Sequence, residues 1–369
     1  MKKYQLLLLF TFISAAANAQ QIGINLIVGT YTNSCESDGI YVYDFSLENG
    51  DHELRSSTEN VINPSFVALS EDQKFLYGVN ENGKESTVSS FSFDKKKGTL
   101  KPLNTQSSEG ADPCYILNDS KNVITANYSG GSISVFKKNK NGSLTAAKQV
   151  VQHKGSSRNP KRQEGPHVHM VQFTPGKKYV LANDLGTDKI YMYQYNPDSE
   201  NNILVIKDSV GVKRGSGPRH LTFSPNGRFA YLLQELDGTI TVFSYDNEKL
   251  QKLEEAQIID DDFQGATSAA DIHISPDGKF LYATNRGDAN DITIFAIHPN
   301  GKLQYKEFLK TEGKGPRNFA IDPTGNFLLV AHQYSNNIVI FQRDQKTGKL
   351  TDTQKRIKVC SPVCLVFVP

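Results

Sequence analysis

The stretch SPDGKFLY, residues 275–282, returns along the chain in altered form: as SEDQKFLY from Ser70, TPGKKYVL from Thr174, SPNGRFAY from Ser224 and DPTGNFLL from Asp322, with a degenerate DSKNVITA from Asp119. Successive copies begin 47 to 55 residues apart. Pro and Gly prepare the backbone for a tight reversal, and the alternating apolar residues on either side mark two antiparallel strands. A third strand of the same character occurs in each unit: GIYVYDF at Gly39, STVSSF at Ser86, GSISVF at Gly131, KIYMY at Lys189, GTITVF at Gly238, DITIF at Asp291 and NIVIF at Asn337. Seven third strands imply seven units. A polar turn and a fourth strand follow most of them, as in GTLKPL at Gly98 and GKLQYK at Gly301. Short strands in fours, repeated at a period of about 50 residues, are the mark of radial repetition. The expected fold is all-β, a seven-bladed β-propeller with four-stranded blades.

The seventh unit is divided between the chain ends. SPVCLVFVP at 361–369 resembles the first strand of other units, such as GPRHLTFS, and the remaining strands run from about Ile24 to Arg55. Pairing N- and C-terminal strands in one sheet closes the ring and removes its open edges. Residues 20–369 are therefore expected to form one domain, its closing blade made by 24–55 with 361–369. Cys35 and Cys360 fall in that divided unit, which favours them as a disulfide among the three pairings that four cysteines allow. The cysteine spacing matches no zinc pattern.

Lys2 and Lys3 precede an almost wholly apolar run from Leu6 to Ala17, and Ala17 with Ala19 makes an A-x-A site. Residues 1–19 read as a cleaved secretory signal, so the mature chain is expected in the periplasm or outside the cell. No later stretch approaches the roughly 20 apolar residues of a membrane span. The formal charge of +2 loses two lysines with the signal and falls to zero, a balance that argues against a nucleic-acid partner.

The repeats supply an internal alignment that separates what a blade needs from what a site needs. Five residues before the turn, the seven units carry Ser65, Cys114, His169, Arg219, Ala270, Arg317 and Val363. Six residues after the turn's aromatic, most second strands carry Glu81, Leu185, Glu235, Arg286 and Gln333. Both positions fall at one end of the barrel, so His169, Arg219, Glu235, Arg286 and Arg317 are expected at one mouth of the central channel. A structural ring of ion pairs would explain them; so would a site for a small anion, for which Arg is the usual partner. His167 and His169 form an H-x-H pair, but a third ligand is missing and no metal is expected. G-x-S-x-G, H-E-x-x-H and phosphate-loop motifs are absent, which disfavours serine and zinc hydrolases. The insertion 153–165, with Lys154, Arg158, Lys161 and Arg162, is the one stretch where a helical reading does not fail, and is read as a solvated loop that could also line the site.

GPHVHMVQFTP, GPRHLTFSPNGRFAYLLQELDGTITVF, SPDGKFLYATNRG and GPRNFAIDPTGNFLLVAHQ together resemble the lactonase family of seven-bladed propellers, which includes propeller-type 6-phosphogluconolactonase and a carboxymuconate lactonizing enzyme. The resemblance spans the mature chain. It implies an active cluster of His169, Arg219, Glu235 and Arg286, with His167 and Arg317 added from position as binders of the substrate's anionic group. It further implies a cofactor-free, metal-independent hydrolase acting on a small sugar or hydroxy-acid lactone. Glu235 or His169 would serve as base and Arg219 or Arg286 would hold the oxyanion. Export leaves the phosphorylated substrate open. Two other readings attach to the same mouth: a noncatalytic propeller that binds a sugar acid, peptide or protein, and a lactonizing isomerase that consumes an open-chain dicarboxylate.

Overall fold

The computed structural model describes residues 23–260 and 262–369; the expected secretory signal lies outside them. Among the described residues, 28 strands form seven antiparallel four-stranded sheets. The innermost strands are β4 (Phe66–Leu69), β8 (Pro113–Asn118), β12 (Val168–Phe173), β16 (Pro218–Phe223), β20 (Ala269–Ile274), β24 (Pro316–Ile321) and β28 (Pro362–Val368). Each packs beside the next, and β28 touches both β24 and β4, so the ring is closed. Blades are numbered I to VI from β4 to β24; blade VII joins β28 to β1 (Gly23–Thr30), β2 (Ile40–Ser46) and β3 (His52–Thr58). β1 pairs with β28 from Asn25↔Val368 to Thr30↔Pro362. The closure expected from the chain ends is the one observed.

The repeated turn has a local cause. In blade V, the Ser275 hydroxyl donates to Asp277 Oδ1 at 2.5 Å and accepts the Phe280 N–H at 3.0 Å, while the Gly278 N–H reaches Ser275 O at 2.8 Å. Gly278 sits at φ 72°, a left-handed conformation that glycine adopts without a Cβ penalty. Ser224, Asn226 and Phe229 repeat the arrangement in blade IV. The turn aromatic then packs onto the next blade: a Cβ on Gly301 would lie 2.3 Å from Phe229 Cδ1, so the glycine of the outer turn is required by contact as well as by its φ of 84°. Between neighbouring sheets the apolar faces fuse into clusters, as where Tyr231 and Leu233 of blade IV meet Leu281 and Phe295 of blade V. The propeller core is thus seven inter-blade layers rather than one centre.

Within the channel a buried carboxylate ties several inner strands together. Asp271 on β20 accepts from His220 Nδ1 at 2.8 Å, His273 Nε2 at 3.0 Å, Asn318 Nδ2 at 2.5 Å and the Phe319 N–H at 3.2 Å. Asn318 in turn accepts the Leu365 N–H on β28 at 2.7 Å. Replacing Asp271 with alanine strands the buried donors of His220 and Asn318 and is expected to cost on the order of 3 kcal/mol, measured by urea unfolding.

Insertion 153–165 is not helical; it is largely an exposed loop, as expected, pinned to the fold at two buried residues. His153 is buried, its Nδ1 2.8 Å from Asp184 Oδ2 and its Nε2 2.8 Å from the Tyr193 hydroxyl. Gln163, fully buried, donates to Leu185 O and to Asp188 Oδ1, each at 2.8 Å. These polar anchors have no 3.6-residue period, which is why the sequence pattern does not show them.

Candidate active site

Two backbone devices aim side chains at one mouth of the channel. The first is a β-bulge near the start of an inner strand. In blade IV, Pro218 pairs with Gln234 and His220 with Leu233, leaving Arg219 unpaired between them. The same irregularity isolates Cys114 on β8, His169 on β12 and Arg317 on β24. An extra residue in one strand breaks the pleat and redirects its side chain, a device common next to active sites. The second is the position just past the second strand, where the N–H of Glu81, Glu235 or Arg286 returns to a carbonyl preceding the inner strand: Asn63, Gly217 and Ser268 respectively.

These positions surround a cavity of about 360 Å³ lined by Tyr31, Glu81, Asp112, Cys114, Tyr128, Ser129, Arg162, His169, Glu235, Arg286 and Arg317. At the cavity wall Glu235 Oε1 accepts from Arg162 Nη2 at 2.6 Å, and Oε2 from Arg219 Nε at 2.9 Å. Arg286 Nη2 lies 3.2 Å and His169 Nε2 3.8 Å from the same Oε2. Burial alone would raise the Glu235 carboxyl, but Arg286, then Arg219 and Arg162, outweigh it and hold it down to about 2. Burial first, then Arg219, His220 and Arg317, keep His169 well below the usual imidazole range, so its ring is neutral at pH 7.

Across the cavity the charges are arranged differently. The Tyr31 hydroxyl donates to both oxygens of Glu81, at 3.1 and 3.0 Å, and Ser65 Oγ donates to Oε1. The Arg317 guanidinium lies over the Tyr31 ring, 5.4 Å from its centroid. Among the described residues Arg317 has no side-chain hydrogen bond or ion pair within 4.0 Å; its donors face the cavity unengaged.

A family model for seven-bladed β-propeller lactonases matches residues 25–367. The chain belongs to the lactonase family of seven-bladed β-propellers. Within that family it is 39% identical to a 6-phosphogluconolactonase of Formosa agariphila, over 90% of this chain and 96% of that one. It is 35% identical to a 6-phosphogluconolactonase of Bacillus subtilis, over 92% and 97%. Of solved lactonase-family structures, a periplasmic gluconolactonase of Pseudomonas aeruginosa superposes with a TM-score of 0.90 at 37% identity, covering 94% of this chain and 99% of that one.

In this lactonase-family propeller, four of the residues expected from sequence line the cavity: His169, Glu235, Arg286 and Arg317. Arg219 is 1% exposed and lies behind Glu235, with Nη1 buried and unpartnered; it is placed to orient the carboxylate rather than to meet a ligand. His167 is not on the cavity wall. It precedes β12, stacks on Tyr128 at 4.6 Å and sits 3.1 Å from Glu164 Oε1. Among the described residues no three His, Cys, Asp or Glu side chains converge as metal ligands. Also on the wall are Arg162, from the insertion that could line the site, Glu81, named from sequence only in register, and Tyr31 and Tyr128, which the sequence pattern does not single out. Glu81 was visible as the register equivalent of Glu235. Tyr31 and Tyr128 hold the same register place in blades VII and II, where the turn motif is split or degenerate.

Proposed function

We infer that this protein hydrolyses a small lactone carrying an anionic or hydroxyl-rich substituent, and that it does so without a metal ion. The observation that carries the reading is the unengaged Arg317 guanidinium facing the Glu235–arginine cluster across one cavity. Lactone cleavage needs positive charge where the carbonyl oxygen gains charge as water adds, and fixed guanidiniums in a partly dry pocket supply it without reorganising. Arg286 and Arg317 can share that work between the oxyanion and the substrate's own anionic group. Arg162, Arg219 and Arg286 already engage the Glu235 carboxylate, which leaves it no free place as a ligand for a cation.

The names of the Formosa and Bacillus relatives point to the phosphorylated sugar lactone, and that of the Pseudomonas relative to the unphosphorylated one. Export after cleavage near Ala19 favours the latter, because a periplasmic enzyme would meet free aldonolactones. Cys114 and His169, with Sγ and Nδ1 3.7 Å apart, resemble a nucleophile–base pair, but burial pushes the Cys114 thiol far up and it stays protonated.

Proton release in a pH-stat with glucono- and 6-phosphogluconolactone tests the reading. Turnover above the spontaneous rate, unchanged by EDTA, is the expected result, with KM rising about 10-fold or more in Arg317→Ala as an anion contact is lost. Blank rates on every lactone, beside thermal stabilisation by the sugar acids, would instead identify a noncatalytic binding propeller.

A further inference from the structure

Neither residue first expected to be the base is well suited to moving a proton. Three guanidiniums engage Glu235, and His169 is a neutral ring 5% exposed with its two nitrogens turned to Cys114 and Glu235. The cavity contains a second, differently held carboxylate. Glu81 projects from just past β5 (Phe75–Asn80) in blade I, the register position that Glu235 occupies in blade IV. Its side-chain partners are two hydroxyls, Tyr31 and Ser65, with no guanidinium within 4.0 Å among the described residues. Its backbone is fixed on both sides by Asn63, whose O accepts the Glu81 N–H at 3.2 Å and whose Nδ2 donates to Glu81 O at 2.8 Å.

We propose that Glu81 is the proton-transferring carboxylate of the ester cleavage, oriented by Tyr31 and Ser65, while Glu235 serves to hold the arginines. The assignment rests on the lactonase reading. In the first step Glu81 takes a proton from the attacking water as its oxygen bonds to the lactone carbonyl carbon. In the second, the ring C–O bond breaks and the same proton passes from Glu81 to the departing alkoxide oxygen. Water is thereby added across the bond and Glu81 ends as it began. Groups that face Glu81 fix its readiness: burial raises its carboxyl, Arg317 on β24 opposes that, the Ser65 and Tyr31 hydrogen bonds also lower it, and Asp112 ahead of β8 raises it. The net shift is upward, toward the range where a carboxylate can both accept and return a proton near neutrality. Two carboxylates in one cavity, one pushed down and one up, is the pattern that divides an electrostatic role from an acid–base role.

The decisive experiment compares wild type, Glu81→Gln and Tyr31→Phe in pH-stat assays across pH 5 to 8, beside thermal melts. Glu81→Gln is nearly isosteric and is expected to melt near wild type, to lose roughly 100-fold or more in kcat with KM little changed, and to lose the acid limb of the kcat–pH profile. Tyr31→Phe removes a hydrogen bond that lowers the Glu81 carboxyl, so its acid limb is expected to move to higher pH with a smaller loss of kcat. Glu81→Asp, which keeps the carboxyl, should recover part of the rate and the acid limb; it also decides the matter if the glutamine variant does not fold. A folded Glu81→Gln protein with wild-type kcat, or a Glu81→Asp protein without an acid limb, overturns the assignment alone. Absence of turnover in wild type overturns the lactonase reading, and the assignment with it.

Discussion

Glu235→Ala is expected to reduce kcat/KM by roughly 1000-fold or more and, at the same time, to destabilise the fold by about 3–5 kcal/mol. Both effects have one source. The carboxylate holds Arg162, Arg219 and Arg286, and its removal leaves three cations with no counterion between them. Arg219, 1% exposed, cannot turn to water for solvation. A glutamine at the same position keeps the shape and part of the hydrogen bonding, so it should recover stability better than activity. The sign of the acid dependence follows from the depressed carboxyl. Glu235 titrates at about 2 when folded against an ordinary 4.5, so the folded state binds fewer protons in that interval. Its stabilisation is complete above about 4.5 and is lost as pH falls toward 2. His169, also depressed, adds to the loss beginning below its ordinary value of 6.5, because the unfolded imidazole takes a proton that the buried ring refuses. Urea unfolding from pH 7 to pH 3 should show stability falling toward acid, with the part between 4.5 and 3 blunted in Glu235→Gln.

The second large effect belongs to the disulfide. Cys35 and Cys360 are bonded across 325 residues of sequence. A crosslink over so long a loop removes chain entropy from the unfolded state worth on the order of 5 kcal/mol, in the treatment where that term dominates. The double variant Cys35→Ser, Cys360→Ser, or wild type in dithiothreitol, is therefore expected to melt roughly 5–10 °C lower by differential scanning calorimetry. A smaller effect on catalysis should accompany it. The Tyr31 N–H bonds Ser361 O at 3.0 Å, next to Cys360, so the same junction that ties blade VII together also seats the hydroxyl that orients Glu81. Buried Cys114 and Cys364 remain as thiols and should react with a maleimide only after unfolding.

The parts of this molecule that sequence reasoning reached are those the repeat encodes. A turn such as SPDGKF specifies its own backbone, and the seven third strands that accompany its copies count the blades. Counting positions from that turn carried His169, Glu235, Arg286 and Arg317 to one cavity because equivalent residues in a ring lie at equivalent heights. Where the repeat is interrupted, no turn marks the register. Tyr31 and Tyr128 occupy the ring of positions that includes Glu235, but blade VII has no intact turn and blade II only DSKNVITA. Arg162 belongs to an insertion with no counterpart in other blades, so no phase could place it. The bulge that leaves His169 unpaired depends on which strand residues pair across the blade, and the H-x-H spacing alone does not show it. Glu81 was in register and visible, yet nothing in the sequence says that Glu235 would be occupied by arginines while Glu81 would not.

The pairing of β28 with β1 also sets an order of events during synthesis. β1 is among the first strands made, and its inner partner follows only after 26 further strands have emerged. Until then blade VII has three strands, the β1 edge is open to the wrong partners, and the channel lacks one of its seven walls. Blades I to VI can pack on one another as they appear, each against its predecessor, while the cavity fed by all seven remains unfinished. Catalytic competence therefore arrives late and at once, with the docking of residues 362–368.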